Sequence, residues 1–153
     1  MGGQAPAWIA SAGGVGYFPW APGTAGSFVA LLLGCGLLAW GGHPLLGAAT
    51  ILVSALGFWA IRAAGAMDDP GWVVIDEVAG QWLTLLGLGH VSLLGAVAAF
   101  ALFRLLDITK PGPVGWADRQ HSPAGIMGDD LIAGAIGAVI LGALTLWRPG
   151  LFG

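Results

Sequence analysis

Hydrophobic residues occur in five runs that are separated by glycine-rich or polar segments. The runs cover residues 28–40, 45–61, 78–88, 91–106 and 131–147. A helix needs about 20 apolar residues to cross a bilayer, so the second and fifth runs approach a full span with their flanks. The third is short enough to be a half-helix or part of a re-entrant hairpin. The pattern predicts an all-α, polytopic integral membrane bundle of four or five membrane helices in a single domain, residues 1–153.

The connections between the runs fall into two classes. Residues 41–44 and 87–90 are short and nearly uncharged, whereas residues 65–77 and 107–130 are longer and polar. If the first four runs pair as two hairpins, both polar loops lie on one face. All eight Asp and Glu residues then share that face, as do all Lys and Arg residues except Arg148. The positive-inside rule makes this face cytoplasmic.

The composition indicates that the chain is surrounded by lipid. It also argues against nucleic acid as a partner and against sites built from cysteine. Hydrophobic residues make up 57% of the chain and charged residues 8%, whereas soluble domains are charged at about a quarter of their positions. The absence of a basic cluster argues against nucleic acid as a partner. The single cysteine, Cys35, lies in an apolar run, which excludes an internal disulfide or a cysteine metal site. Gly134, Ala138 and Gly142 form a small-residue stripe that predicts a packing seam.

The first polar segment, GYFPWAPGTAGS at residues 16–27, leads into the first run. Its Thr24 and Ser27 hydroxyls lie beside a helix N-terminus, a setting that suits an anion. The alternative is a rigid loop in which Ser27 is only the helix N-cap.

The second polar segment, at residues 69–82, places Asp76 and Glu77 at the start of an apolar helix. A helix N-terminus favours one carboxylate there, but it does not account for two adjacent acids with Gln81 on the same helical face as Glu77. Ionisable groups at membrane depth are costly and are usually functional. We therefore expect a functional role for this pair.

The third polar segment spans residues 103–130. Arg104, Asp107 and Lys110 are spaced by three and share a face if the helix continues. An ion-paired helix end, with Lys110 extending to the membrane surface, is the alternative. Asp129 and Asp130 repeat the pattern of Asp76 and Glu77: two adjacent acids that we expect to begin a helix.

Two acidic pairs from different helices suit Mg²⁺, which takes oxygen ligands and is usually shared with a substrate phosphate. We expect Asp76, Glu77, Asp129 and Asp130 to be metal ligands, and these four with Asp107 to be the catalytic acids. Basic residues near them can clamp phosphate oxygens, which points to a phosphorylated lipid head group. The candidate phosphate-binding residues are Thr24, Ser27, Arg104, Lys110 and Arg119.

The residues present favour one route to phosphate ester hydrolysis. Cys35 is not in a polar loop, and no Asp-x-Asp pair exists for an aspartyl-phosphate intermediate. A phosphohistidine route would have only His121 on the acidic face. Metal-assisted attack by water therefore remains.

Three segments in order resemble the phosphatidylglycerophosphatase A family: GYFPWAPGTAGS (16–27), DPGWVVIDEVAGQW (69–82) and FRLLDITKPGPVGWADR…GIMGDD (103–130). The resemblance implies a Mg²⁺-dependent enzyme that removes the terminal phosphate of phosphatidylglycerophosphate, yielding phosphatidylglycerol and phosphate. It also implies a phospholipid substrate taken from the bilayer, and a bacterial inner-membrane enzyme whose active site faces the cytoplasm.

Two other functions are compatible with membrane acids. A CDP-alcohol phosphatidyltransferase also uses acids and Mg²⁺, but it requires a longer run of spaced aspartates that this sequence lacks. A small ion or proton transporter would place its acids mid-helix and in both halves of the membrane. Here the acids crowd at helix ends on one face, which favours the phosphatase.

Overall fold

The computed structural model describes residues 3–153, and that part of the chain is helical, without strands. The six α-helices are α1 (Gln4–Ala10), α2 (Pro22–Ala63), α3 (Ile75–Leu85), α4 (Leu93–Thr109), α5 (Pro113–Asp118) and α6 (Pro123–Trp147). A short 3₁₀ turn, Val15–Tyr17, joins α1 to α2. The all-α class predicted from the apolar runs is confirmed.

Helix α2 contains the first two apolar runs and is bent between them. At Gly42 the backbone leaves the helical region (φ 65°, ψ −165°), and Pro44 follows. Glycine adopts a positive φ without the steric cost that a side chain imposes, and proline has no backbone N–H to continue the hydrogen-bond ladder. The bend divides α2 into two arms, residues 22–41 and 43–63.

The two arms of α2 pack along α3 and run antiparallel to each other. An added Cβ at Gly26, in the first arm, would lie 2.8 Å from Val74, and one at Gly57, in the second arm, would lie 3.2 Å from Ile75. Both positions are therefore at the start of α3. Near the bend, Leu38 and Leu46 pack in one cluster with Leu85 and Leu88, at the end of α3. The first predicted hairpin is thus formed.

Two helices, α2 and α6, are long and apolar enough to cross a membrane. Only 28% of their most apolar windows is buried inside the protein, whereas the core helix of a soluble protein would be mostly buried. Large apolar side chains instead face outward, among them Trp40, Ile51, Val139 and Leu146. These surfaces indicate membrane association. The expected total of four or five membrane helices stays a prediction.

Helix α3 is the short helix at the centre of the bundle, and its 11 residues are too few to cross a bilayer alone. It packs closely on α6 through glycines. An added Cβ at Gly134 would lie 2.5 Å from the carbonyl oxygen of Gly80, and one at Gly142 would lie 3.8 Å from that of Gly87. The small-residue stripe is therefore the packing seam that its spacing predicted.

Two expected helix starts were wrong. Helix α6 begins at Pro123, where the Ser122 hydroxyl accepts a hydrogen bond from the Gly125 N–H at 3.1 Å, so Asp129 and Asp130 lie inside the helix instead of opening it. Helix α2 begins at Pro22, so Ser27 is not its N-cap. Proline is favoured in the first turn of a helix, and both helices therefore start before their apolar runs.

Candidate active site

All eight acidic side chains of the chain gather at one end of the bundle. Their oxygens form three overlapping triads, each with potential ligand atoms within 4.8 Å of one another. The triads are Asp76, Glu77 and Asp130; Asp107, Asp129 and Asp130; and Asp69, Asp118 and Asp129. Asp68 joins the last triad around a cavity of about 250 Å³. The acids that hairpin pairing placed on one face are thus brought together.

The inner triad combines the first turn of α3 with α6. Asp76 is buried and accepts a hydrogen bond from the Glu77 N–H at 3.1 Å. Asp130 is equally buried, and it reaches α3 because Gly80 lets the α6 backbone approach: an added Cβ at Gly80 would lie 2.6 Å from the Asp130 carbonyl oxygen. The glycine seam therefore positions the acids of two helices against each other.

The two adjacent acids of α6 have different neighbours. Asp130 shares the inner triad with Asp76 and Glu77, whereas Asp129 shares a triad with Asp69 and Asp118. Asp107, from the last turn of α4, completes the triad that contains both. The four expected metal ligands are therefore arranged around the shared Asp130, with Asp107 as a neighbour.

Lys110 binds two of these acids. It caps the C-terminus of α4 with a left-handed backbone (φ 47°), and its Nζ lies 2.6 Å from Asp129 and 2.8 Å from Asp118. Burial alone would lower the pKa of the ammonium, but the hydrogen bonds and charges of the two carboxylates outweigh it and raise the pKa. Lys110 therefore stays protonated. Helix α4 ends at Thr109, so the helix does not continue through Lys110 as the shared face with Asp107 required, and the ammonium binds Asp118 and Asp129.

Arg104 links α4 to the start of α2. Its guanidinium contacts Asp107, and its Nη2 donates a hydrogen bond to the Thr24 hydroxyl at 3.3 Å. A Cβ added at Gly23 would lie 2.5 Å from Glu77 Oε1 and 3.5 Å from both terminal nitrogens of Arg104. The first turn of α2 therefore lies directly against the acidic and basic side chains.

The remaining two candidate phosphate-binding residues are placed differently. Ser27 is fully buried, and its hydroxyl donates to the Gly23 carbonyl oxygen at 2.9 Å. Ser27 therefore stabilises the first turn of α2 from within the helix. Arg119 is exposed just after α5. The structure therefore brings Thr24, Arg104 and Lys110 to the acids more closely than Ser27 or Arg119.

The outer triad, Asp69, Asp118 and Asp129, contains two acids that were not among the predicted site residues. Asp69 and Asp118 line the cavity together with His121, whose Nδ1 lies 2.9 Å from Asp68. Burial raises the pKa of the Asp69 carboxyl; nearby Lys110 opposes this effect, and the charges of Asp107 and Asp118 add to it. Both missed acids lie inside the quoted motifs, which was the available signal.

In the described part of the chain, four buried side-chain atoms have no hydrogen-bond partner: Glu77 Oε2, Gln81 Oε1, Gln81 Nε2 and Arg104 Nε. Glu77 and Arg104 lie beside Gly23, and Gln81 follows Glu77 by four residues on α3. Buried polar atoms almost always have a partner in proteins or ordered water, so these four atoms are exceptions. Clustered carboxylate oxygens are the donor set that a hard divalent cation requires, and the residues present therefore fit Mg²⁺.

A bundle of outward-facing apolar helices, with clustered carboxylates and the side chains of Arg104 and Lys110 at one end, defines a membrane-associated protein with acidic clusters that could bind a metal ion. Sequence comparison identifies the particular kind. The chain belongs to the phosphatidylglycerophosphatase A family, whose family model matches residues 8–145.

Individual relatives agree on phosphatase chemistry. Phosphatidylglycerophosphatase A of Escherichia coli K12 is 36% identical, with 84% of this chain and 76% of the relative covered. The enzyme of the same name from Haemophilus influenzae is 34% identical, with 83% and 80% covered. A Bacteroides thetaiotaomicron protein, named provisionally as a phosphatidylinositol-3-phosphatase, is 32% identical, with 95% and 96% covered. No solved structure matches the chain.

Proposed function

We propose that this protein hydrolyses the terminal phosphomonoester of phosphatidylglycerophosphate to phosphatidylglycerol and inorganic phosphate. Family membership over residues 8–145 carries the proposal. The site agrees with it, because carboxylates, Arg104 and Lys110 lie together at one end of apolar helices. A lipid phosphate lies at that depth when the acyl chains remain in the bilayer.

We propose that the reaction depends on Mg²⁺ held by Asp76, Glu77, Asp129 and Asp130. When bound, the ion would acidify water and neutralise charge on the phosphoryl oxygens. The three overlapping triads and the unpartnered Glu77 Oε2 support this assignment. Asp107, which shares a triad with Asp129 and Asp130, belongs to the same catalytic group.

The protein's own side chains orient the substrate. Arg104 and Thr24 face the space beside the first turn of α2, where free backbone N–H groups favour anions. A guanidinium can hold two phosphoryl oxygens at once. As water adds to phosphorus and the bond to the head-group oxygen breaks, one of the clustered carboxylates accepts a proton from the water, and a proton passes to the head-group oxygen, which leaves as a hydroxyl. Lys110 keeps Asp118 and Asp129 together during this step, and Arg119 adds positive charge at the edge.

We propose that the site faces the cytoplasm of a bacterial inner membrane. The charge bias of the sequence supports this orientation. Single cysteines introduced at residues 67 and 112 and at residues 43 and 90, in a chain whose Cys35 is replaced by alanine, test it with a membrane-impermeant thiol reagent. Labelling of 67 and 112 from opposite sides would contradict the proposal.

Phosphate release from defined lipids tests the function. We expect the purified protein to release phosphate from phosphatidylglycerophosphate, with phosphatidylinositol 3-phosphate and phosphatidic acid as poorer substrates. We expect activity to disappear with a chelator and to return with Mg²⁺. Failure to hydrolyse any of the three lipids would exclude a lipid phosphatase, and ion flux through liposomes containing the same preparation would then test the transporter hypothesis.

A further inference from the structure

The segment that leads into α2 contains more than candidate phosphate-binding residues. It carries three aromatic side chains that the acid triads do not use, Tyr17, Phe18 and Trp20. These side chains are between 49% and 77% exposed, although the segment runs directly into the first turn of α2. Exposed aromatic residues on an apolar protein surface commonly contact lipid.

This segment and α2 together border an apolar groove of about 490 Å³. Residues 14–19 contribute one wall, in which Tyr17 and Phe18 are the largest side chains. Helix α2 contributes the other wall with Ala25, Phe28 and Val29. The groove therefore has two walls, unlike the open outer face of a single membrane helix.

The wall formed by residues 14–19 is held in place by the loop that precedes α3. The Tyr17 ring stacks on Trp72, with ring centroids 6.2 Å apart and planes 15° from parallel. A Cβ added at Gly16 would lie only 1.9 Å from the Trp72 carbonyl oxygen, so the two backbones are in direct contact. The groove is thus preformed, as small-molecule sites usually are.

The groove begins beside the site. Ala25 directly follows Thr24, whose hydroxyl accepts the hydrogen bond from Arg104. One helical turn farther from the acids, the Phe28 ring meets Phe100 of α4 edge-on, with centroids 6.2 Å apart. Phe100 precedes Arg104 by four residues, so the aromatic contact lies one turn beyond the polar one on both helices. A phosphate held at Arg104 therefore has this apolar groove about 5 Å away along α2.

We infer that this groove holds one acyl chain of the substrate, an assignment that rests on the proposed function. The head-group glycerol and the phosphodiester join the terminal phosphate to the acyl esters, and they can extend from Arg104 past Ala25. The chain gains no hydrophobic free energy on leaving the bilayer, because lipid tails are as apolar as the groove. The groove instead fixes the direction in which the chain leaves the site, and this orients the phosphate for attack.

A second apolar groove, between α4 and α6, is less suited to this role. Its residues on α6 are Ile140, Leu141 and Leu144. They begin ten residues after Asp130, which places them about 15 Å along the helix from the inner acids. This second groove is therefore the internal control for ordinary bilayer lipid.

Photo-cross-linking in phosphatidylcholine vesicles tests the proposal without requiring turnover. The probe is a phosphonate analogue of phosphatidylglycerophosphate, whose terminal carbon–phosphorus bond is not hydrolysed, with a diazirine on one acyl chain close to the ester. The control probe is phosphatidylcholine with the same labelled chain. We expect the phosphonate probe to label residues 14–29 severalfold more than the control probe does, and both probes to label the groove between α4 and α6 equally.

Ala25→Leu narrows the groove, because Ala25 is half-buried in its wall. This variant should lose the excess labelling and about tenfold in kcat/KM on phosphatidylglycerophosphate, since a misplaced phosphate reacts more slowly. Ala98→Leu is the matched control, a half-buried alanine in the second groove, and it should keep both. Val29→Phe replaces Ala25→Leu if that variant does not accumulate in the membrane.

Equal labelling of residues 14–29 by the two probes would overturn the proposal, because ordinary bilayer lipid would then fill the groove. Excess labelling by the phosphonate probe in the second groove would overturn it as well, by placing the chain there. Phosphate release is measured on the same preparation. If no phosphate is released from phosphatidylglycerophosphate, the proposed function fails, but the difference in labelling between the two probes still decides whether the groove binds the chain.

Discussion

Lys110 and Asp129 form an ion pair of 2.6 Å that joins the C-terminal cap of α4 to the second turn of α6. Lys110 also binds Asp118 at 2.8 Å, so one ammonium holds carboxylates from α5 and α6. An ammonium has three donors and no acceptor. Two of these donors are used by acids, which leaves one for a substrate phosphate.

This ion pair predicts coupled effects of substitution. Lys110→Ala should lower kcat more than it raises KM, because Asp129 loses its position when its partner is removed. Asp129→Asn should lower activity for the same reason. The double variant should lose less activity than the two single losses combined, since both changes break the Lys110–Asp129 interaction. Losses that add fully would show that Lys110 and Asp129 act separately.

Asp130 is predicted to be the acid with the largest effect on cation binding, because it shares a triad with each of the other three expected metal ligands, Asp76, Glu77 and Asp129. Asp130→Asn should raise the Mg²⁺ concentration needed for half-maximal phosphate release by about a hundredfold or more. Changes to the residues around metal ligands already cost about ten- to a hundredfold in metal affinity. Stabilisation of the purified protein by Mg²⁺, read from its unfolding temperature, should also be lost.

Asp68→Asn is the matched control for Asp130→Asn. Asp68 lies at the same end of the bundle but is exposed and pairs with His121. If Asp68→Asn and Asp130→Asn changed the Mg²⁺ dependence equally, the cation would be responding to total negative charge and not to the inner triads.

Gly23 is predicted to be essential to the site although it has no side chain. A Cβ there would lie 2.5 Å from Glu77 Oε1, too close for van der Waals contact, so Gly23→Ala must displace the carboxylate. We expect kcat/KM to fall by about ten- to a hundredfold, because displacements of about 1 Å have effects of that size. Gly36→Ala, on the same helix with open space around it, should be neutral. Equal activities of the two variants would contradict this geometry.

Helix packing predicts a loss of stability at Gly134. The Cβ of Gly134→Ala would lie 2.5 Å from the Gly80 carbonyl oxygen, and backbone cannot move aside as a flexible side chain can. We expect the free energy of unfolding to fall by about 1–3 kcal/mol, the usual effect of overpacking. Gly142→Ala, 3.8 Å from the Gly87 carbonyl oxygen, should unfold at nearly the wild-type temperature.

Several parts of this arrangement could be predicted from the sequence because they depend on local chemistry. Gly42 and Pro44 mark the bend in α2 through backbone preferences alone. Asp76 and Glu77 are conspicuous because they begin an apolar run. The collection of acids at one end follows from the alternation of short uncharged turns with long polar loops.

Other parts depend on tertiary packing and could not be predicted. Spacing suggested that adjacent acids such as Asp129 and Asp130 act as a pair, but the Gly80–Gly134 contact places Asp130 against α3. Lys110 has a left-handed backbone just beyond the end of α4, and its ammonium pairs with Asp118 and Asp129, whereas Asp107 pairs with Arg104. The start of α6 was missed because the apolar run begins only at residue 131, whereas the Ser122 cap and Pro123 begin the helix.

Substitution of Arg104 best distinguishes a cation that binds the substrate from one that only stabilises the fold. Its guanidinium contacts Asp107, donates to Thr24 at 3.3 Å and lies beside Glu77 across Gly23. A lysine at this position keeps the charge but cannot hold several partners in one plane. We therefore expect Arg104→Lys to lower kcat/KM by about tenfold or more, mainly through kcat, because charge on the phosphoryl oxygens must be stabilised in the transition state.

The control for Arg104→Lys is Arg62→Lys. Arg62 is exposed in the last turn of α2, so the same substitution there removes a guanidinium without touching the acids. Activity must be divided by the amount of folded protein in the membrane, since a purely structural Arg104 would act through abundance. If Arg104→Lys lowers abundance but leaves kcat/KM per folded molecule unchanged, Arg104 only anchors α2 to α4, and the phosphate must be held by Lys110 and the first turn of α2 instead.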